Sequence, residues 1–262
     1  MVWRSLARVL GVYKIYEYLL EREVKKGKIP RHIAFILDGN RRWARNRGIP
    51  PWLGHRYGAE KAEEVLDWCY DLGVKTVTLY VLSTENLQRR NKEEVEKILE
   101  LLEEKIEKLK TSGEIDKRKV CVRFIGDKHL LPPSLKNKIE EVENWSSRYS
   151  ERYLNVALAY GGRSEILEAI RNVVRDVQEG RLRVENIDEK TFEQYLYTGG
   201  QPYPDPDLVI RTSGEERISN FLLWQIAYSE LVFLDVYWPD FRKIDFLRAV
   251  RTYQSRQRRF GG

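Results

Sequence analysis

The alternation of apolar and polar stretches divides the chain into short strands separated by longer helices. Apolar runs at 32–37, 76–82, 120–125, 153–159, 207–211 and 231–236 read as strands. Between them, apolar residues at helical spacing predict helices over about 2–26, 57–72, 92–111, 134–148, 164–178, 218–228 and 242–257. The segment EEVEKILELLEEKIEKLK (93–110) is the clearest. Val95, Ile98, Leu99, Leu102, Ile106 and Leu109 share one face, and the charges around them form a solvated one. The order of elements predicts an α/β fold: one domain with a central, mostly parallel six-stranded sheet flanked by helices.

Composition narrows the function. The 262 residues are 42% hydrophobic, enough for one sizeable core, and no linker or repeat interrupts them. A net charge of +6 suits a phosphorylated substrate, a membrane surface or nucleic acid. The basic residues form no long run, and the seven Trp follow no strand pattern for stacking bases, which argues against nucleic acid. Cys69 and Cys121 lie far apart in apolar segments and read as reduced core thiols. Three His without an HExxH pattern argue against zinc. No signal peptide is visible, with Arg4 and Arg8 in the first segment, and no apolar run nears the ~18 residues of a membrane span. The expectation is a cytoplasmic protein.

The candidate chemistry gathers at strand ends, where parallel sheets collect their ligands. The first strand runs into Asp38-Gly39-Asn40-Arg41-Arg42-Trp43-Ala44-Arg45. Backbone amides near Gly39 can approach a phosphate, and the arginines can clamp it with forked donors. Asp38 would repel a phosphate unless a hard cation such as Mg2+ stood between them. A plainer reading makes Asp38 a helix cap and sends the arginines to solvent. The second strand ends Ser83-Thr84-Glu85-Asn86-Leu87-Gln88-Arg89, which alone reads as a cap before the helix at 92. The fifth ends Arg211-Thr212-Ser213-Gly214-Glu215-Glu216-Arg217-Ile218-Ser219, a second place for an anion. Three such endings together argue for a site. Walker-type, dinucleotide and nucleophile-elbow motifs are absent. Tyr160-Gly161-Gly162-Arg163-Ser164 reads as a structural turn capped by Ser164.

HIAFILDGNRRWARNRG, GH at 54–55, YVLSTEN, AYGGRSEI, DLVIRTSGEERISNFLLWQIAYSELVF, WPDF and the terminal RRFGG resemble, in order and spacing, the cis-prenyltransferase family. That family includes the undecaprenyl and dehydrodolichyl diphosphate synthases. The resemblance spans residues 30–262, so residues 29–262 are expected to form the catalytic domain and 1–28 an amphipathic helical segment. It implies an enzyme that adds isopentenyl diphosphate units in cis to an allylic primer, farnesyl or geranylgeranyl diphosphate. The product would be a long polyprenyl diphosphate for a glycosyl carrier lipid.

The resemblance also implies roles for residues. Asp38 would be the catalytic aspartate holding Mg2+, with Glu230 as a further metal ligand. Gly39, Asn40, Arg41, Arg42 and Arg45 would surround the allylic diphosphate, with Trp43 and His55 nearby. Ser83, Glu85 and Arg89 would join them, and Asn86 would help remove a proton. Arg211, Arg217 and Ser219 would hold isopentenyl diphosphate, together with Arg259 and Gly261 of the tail. Family members dimerise, so a homodimer is expected, with the tail near a neighbouring site. The growing chain needs an apolar tunnel, with Val77, Leu79, Val81 and the 92–111 helix as its walls. Arg41, Pro51, Leu87 and Glu216 depart from the common bacterial Gly, Arg, Trp and His, and DGNRRW matches the archaeal and eukaryotic branch. Some family members are accessory subunits without activity, but a pure scaffold has no need of an Asp among arginines. Along residues 1–28, Val2, Leu6, Val9, Leu10, Tyr13, Tyr16, Leu20 and Val24 can share a helical face. That face either docks on its own domain or partner, or rests on the membrane where the lipid product leaves.

Overall fold

A computed structural model describes residues 2–256. Six strands run in the order β3-β4-β2-β1-β5-β6, every neighbouring pair parallel. They are β1 (His32–Ile36), β2 (Thr76–Ser83), β3 (Val120–Ile125), β4 (Arg152–Tyr160), β5 (Leu208–Arg211) and β6 (Glu230–Phe233). The chain first builds outward from β1 through β2 and later returns to β1's other side as β5. The crevice beyond the carboxyl ends of β1 and β5 is therefore a topological switch point, where such sheets bind ligands.

The helices covering the sheet include α1 (Val2–Lys26), α2 (Asn40–Asn46), α3 (Pro51–Leu72), α4 (Thr84–Arg89) and α5 (Lys92–Thr111). They continue with α6 (Glu114–Arg118), α7 (Pro133–Ser146), α8 (Gly162–Gln178), α9 (Glu189–Glu193) and α10 (Lys243–Ser255). One sheet face carries Ile33, Phe35, Val77 and Leu79 in the main core. The other carries Ala34, Ile36, Tyr80 and Val209 against Phe221 and Leu222. Helix α1 docks on its own domain: Leu20 and Val24 are fully buried, Lys243 Nζ reaches Glu21 at 2.8 Å, and Gln254 donates to Val24 O at 2.9 Å.

The sequence expectations need correction in three places. Helix α3 begins at Pro51, six residues before the periodic apolar pattern, because proline suits a first helical turn where no amide partner exists. The short helices α2, α4, α6 and α9 were not anticipated. Residues 218–228 form turns instead of a helix. Ser219, Asn220 and Leu222 have φ of 49°, 63° and 43°, which right-handed helix excludes. Tertiary bonds hold this shape: Asn220 Nδ2 donates to Glu85 at 2.9 Å, Arg163 N donates to Asn220 Oδ1 at 3.0 Å, and Gln225 Nε2 donates to buried Glu165 at 2.9 Å.

Candidate active site

The site begins where β1 ends. Gly39 turns the chain with φ 104°, and a Cβ there would lie 2.7 Å from the Tyr237 ring, so this turn requires glycine. The Asp38 carbonyl accepts from Thr212 Oγ1 at 2.7 Å and from Trp238 N at 3.0 Å, which fixes the turn against the segments that follow β5 and β6. The Asp38 carboxylate then faces Arg211, whose Nη2 donates to Oδ2 at 2.8 Å. Arg42, one helical turn on, approaches Oδ1 at 3.4 Å. Burial opposes ionisation of Asp38, but the hydrogen bond and charge of Arg211 outweigh it, and its pKa falls below the ordinary carboxylate value.

Each arginine is tied again. Arg42 donates to Ser213 Oγ at 2.7 Å and Glu215 Oε1 at 2.9 Å. Arg211 is buried and donates to Ser219 Oγ at 2.8 Å and to the Arg217 carbonyl. Arg217 pairs with Glu215 and is otherwise exposed. The β1 and β5 endings thus form one network of arginines and carboxylates. The 218–222 turns bring Arg217 and Ser219 to it, which a helix would not have done.

On the other side of β1, Ser83 Oγ accepts from Asn86 N at 3.0 Å and caps α4. Glu85 is held by Asn220. Asn40 donates to Leu37 O at 3.3 Å and leaves its buried Oδ1 without a partner. Helix α3 supplies His55, whose Nε2 lies 3.1 Å from Glu94 at the start of α5. Burial pulls the His55 pKa down, so the ring is neutral near pH 7.

Not every expected residue joins this cluster. Trp43 is buried between the Tyr57 ring, 4.9 Å away, and the Arg47 guanidinium, 4.2 Å above its ring, so it packs α2 onto its surroundings. Arg45 and Arg89 are exposed, and their side chains make no hydrogen bond or ion pair among the described residues. Glu230 stands at the amino end of β6, opposite Leu208, and accepts from Arg256 at 2.9 Å. It lies three registers below Arg211, or ~10 Å at strand rise, so this chain does not bring it to Asp38. Arg259 and Gly261 lie outside the described residues. Sequence reasoning gave no role to Glu215, Arg90 or Glu94. The charge alternation GEER and the i,i+4 spacing of Arg90 and Glu94 were the available signals.

Beside the cluster a cavity of about 480 Å3 opens, its lining reaching from Asn40 and His55 to Ile115 and Val120. Its walls are Val77, Leu79 and Val81 of β2 facing Ile98, Leu102 and Ile106 of α5, the surfaces expected from the sequence. Among the described residues no group of three or more His, Cys, Asp or Glu is placed to cage a metal ion. Asp38 Oδ1, whose contact with Arg42 is a long 3.4 Å, fits a different arrangement: Mg2+ bound by one carboxylate and completed by phosphate oxygens.

An anion site at a strand switch point, opening onto an apolar cavity, defines an α/β protein built for an amphiphile with an anionic head. The chain belongs to the undecaprenyl diphosphate synthase family of cis-prenyltransferases, whose family model matches residues 36–261. It is 57% identical over 250 residues to the tritrans,polycis-undecaprenyl-diphosphate synthase (geranylgeranyl-diphosphate specific) of Methanopyrus kandleri, covering 95% of this chain and 91% of that protein. It is 51% identical over 266 residues to the protein of the same name from Pyrococcus horikoshii, covering 100% of both. The crystal structure of lavandulyl diphosphate synthase from Lavandula x intermedia in complex with dimethylallyl diphosphate superposes with a TM-score of 0.84 at 37% identity, covering 89% of this chain and 99% of that one.

Proposed function

We propose that the protein elongates geranylgeranyl diphosphate by successive cis additions of isopentenyl diphosphate, the primer named for its archaeal relatives. The observation that carries this reading is the Asp38 carboxylate, held between Arg211 and Arg42 at the mouth of an apolar cavity. The primer's diphosphate would lie among Asn40, Arg41, Arg42 and His55, with its chain in the cavity. The diphosphate of isopentenyl diphosphate would lie against Arg211, Arg217 and Ser219. As the allylic C–O bond breaks, negative charge collects on the leaving diphosphate, and the fixed guanidinium groups of Arg41 and Arg42 stabilise it. Mg2+, held by Asp38 and phosphate oxygens, supplies further neutralisation when bound. The homoallylic double bond of isopentenyl diphosphate attacks the allylic carbon, and loss of a proton completes the new cis double bond. Asn86, oriented by the Ser83 cap, is the residue assigned to assist that loss. The apolar wall of β2 and α5 excludes water, which would otherwise capture the allylic cation.

Two finer features belong to this reading. The active form is a homodimer. Helix α8 leaves Leu167, Ile170 and Val174 about half exposed at spacings of three and four, an apolar stripe suited to a twofold mate. The same reading assigns Arg259 and Gly261, which lie outside the described residues, to binding isopentenyl diphosphate. The exposed Ile15, Tyr18 and Leu19 of α1, beside Lys14, Arg22, Lys25 and Lys26, give a surface able to rest on a membrane that receives the product.

The decisive experiment incubates the purified full chain with labelled isopentenyl diphosphate and geranylgeranyl or farnesyl diphosphate, with Mg2+ present, and chromatographs the dephosphorylated products. Long labelled polyprenols from geranylgeranyl diphosphate support the reading. No incorporation from either primer refutes it.

A further inference from the structure

The far end of the cavity lies at the opposite pole from Asp38. Its lining there, Val120, Arg152 and Tyr153, stands at the amino ends of β3 and β4, and at ~3.3 Å per residue β2 runs ~20 Å beside it from Thr76 to Ser83. Helix α6 lies across this end. Glu114, Ile115 and Arg118 line the cavity, and Ile115 is only 1% exposed. Two left-handed residues bracket the helix, Gly113 at φ 71° and Lys119 at φ 52°, so it continues neither α5 nor β3. A helix this short is not stable by itself and takes its position from tertiary ties. Those ties are ionic. Arg118 Nη1 meets Asp67 of α3 at 2.6 Å, and Arg118 Nε meets Glu114 at 2.6 Å. The Arg118 guanidinium lies 4.5 Å from the centre of the Tyr70 ring. Arg152 lies 4.6 Å from the same ring and donates to the Arg118 carbonyl at 3.2 Å. On the other side, Asp116 accepts from Arg148 and from the Tyr149 hydroxyl, each at 2.7 Å. The Asp67 side chain is 57% exposed, so its pairing with Arg118 is open to screening by salt.

We propose that α6 is a movable stop for the growing chain, and that the Arg118–Asp67 pair is the latch that sets how long the product becomes. The chain fills the cavity toward the amino end of the sheet until its terminal isoprene unit meets Ile115. A further addition must push α6 aside against the ties of Arg118 and Asp116, or press hydrocarbon onto charged groups that then lose their partners. Elongation slows at that length and the product leaves. The limit is therefore one of electrostatic hold as well as of space. The inference rests on the elongation reading above and adds to it the residues that choose product length.

The test chromatographs the dephosphorylated products of the full-length protein and its variants, made from labelled isopentenyl diphosphate and geranylgeranyl diphosphate with Mg2+. Asp67→Asn keeps the side-chain volume and removes the charge, and Arg118→Gln removes the other partner. Each is expected to lengthen the main product by about one to three isoprene units, with the first condensation within about twofold of the parent, because the loss of an ion pair loosens α6 and leaves the diphosphate sites untouched. The double variant gives the shift of either single one, since the two residues act as a unit. Lys117→Gln takes a charge from the exposed side of α6, outside the latch, and leaves the product as in the parent. Raising KCl from about 0.1 to about 1 M, which cuts the screening length from about 10 to about 3 Å, should lengthen the parent's product and change that of Asp67→Asn less. Parent-like products from both Asp67→Asn and Arg118→Gln overturn the latch, as does an equal shift in Lys117→Gln. Melting temperatures identify a variant that has failed to fold; the salt series on the parent then decides, and an unchanged product length overturns the latch. A parent protein that incorporates no isopentenyl diphosphate overturns the proposed function instead.

Discussion

Asp38 and Arg211 are 173 residues apart in sequence and meet at 2.8 Å, across the seam where β1 and β5 pair. Ile36 and Arg211 are register partners in that pairing, so the sheet itself sets the distance between the two charged groups. The anchor does not depend on a flexible loop. Asp38→Ala is therefore expected to leave the fold intact and to lower kcat ~100-fold or more, the usual consequence of losing a preorganised electrostatic contact. Steady-state turnover with unchanged far-ultraviolet circular dichroism checks this. Activity near the parent value in Mg2+ would remove Asp38 from the mechanism.

Arg217 is mostly exposed and tied chiefly to Glu215, so its loss leaves the Asp38–Arg211 pair standing. Arg217→Ala is expected to raise the KM for isopentenyl diphosphate about tenfold, as one charge-assisted bond is lost, and to change that for the primer less than twofold. Equal weakening of both substrates would contradict separate diphosphate positions.

Leu102 lines the cavity on α5, facing the β2 wall. Leu102→Trp places a larger side chain in the path of the growing chain. The first condensation should proceed at a rate within about threefold of the parent, with products several isoprene units shorter, because the obstruction meets only an elongated chain. A product distribution identical to the parent's would show that the chain takes another route.

His32 lies at the amino end of β1, fully buried, with Nε2 2.8 Å from Thr78 Oγ1. Burial pushes its pKa down to about 4. The unfolded chain takes up a proton near pH 6.5, so between pH 6.5 and 4 unfolding binds a proton that the native state excludes. Stability from this residue is complete above pH 6.5 and falls as pH falls, by roughly 3 kcal/mol in total at ~1.4 kcal/mol per unit. Denaturant melts of the parent and His32→Gln at several pH values should show the steeper slope in the parent. Parallel slopes would mean that His32 is protonated in the folded protein.

Ile170→Asp, in the exposed stripe of α8, is expected to shift the protein toward monomer in sedimentation by weakening the dimer ~10-fold or more, since a charge replaces apolar contact. Removal of residues 258–262 should reduce turnover and leave the dimer in place. A dimer unaffected by Ile170→Asp would locate the twofold contact elsewhere.

Much of this was legible in the sequence. Apolar period and length fixed all six strands to within a few residues, because a strand buried on both faces must be continuously apolar whatever surrounds it. The DGNRRW and RTSGEER endings announced charge at strand exits, and local composition is enough for that. The family resemblance, which calls for an apolar tunnel, pointed to the cavity walls in β2 and α5. Three things belonged to the tertiary structure alone. Residues 218–228 have helical periodicity, yet bonds from Asn220 and Gln225 to distant partners override it. Arg89 and Arg90 are indistinguishable by type, and only the contacts of Arg90 with His55 of α3 and Glu94 of α5 shield it while Arg89 stays exposed. Glu230 shares a motif with the β5 arginines, but parallel pairing sets it at the far end of β6. Propensity acts over a few neighbouring residues. Which of two adjacent arginines is shielded depends on partners brought in from other elements, and those contacts exist only once the tertiary structure has formed.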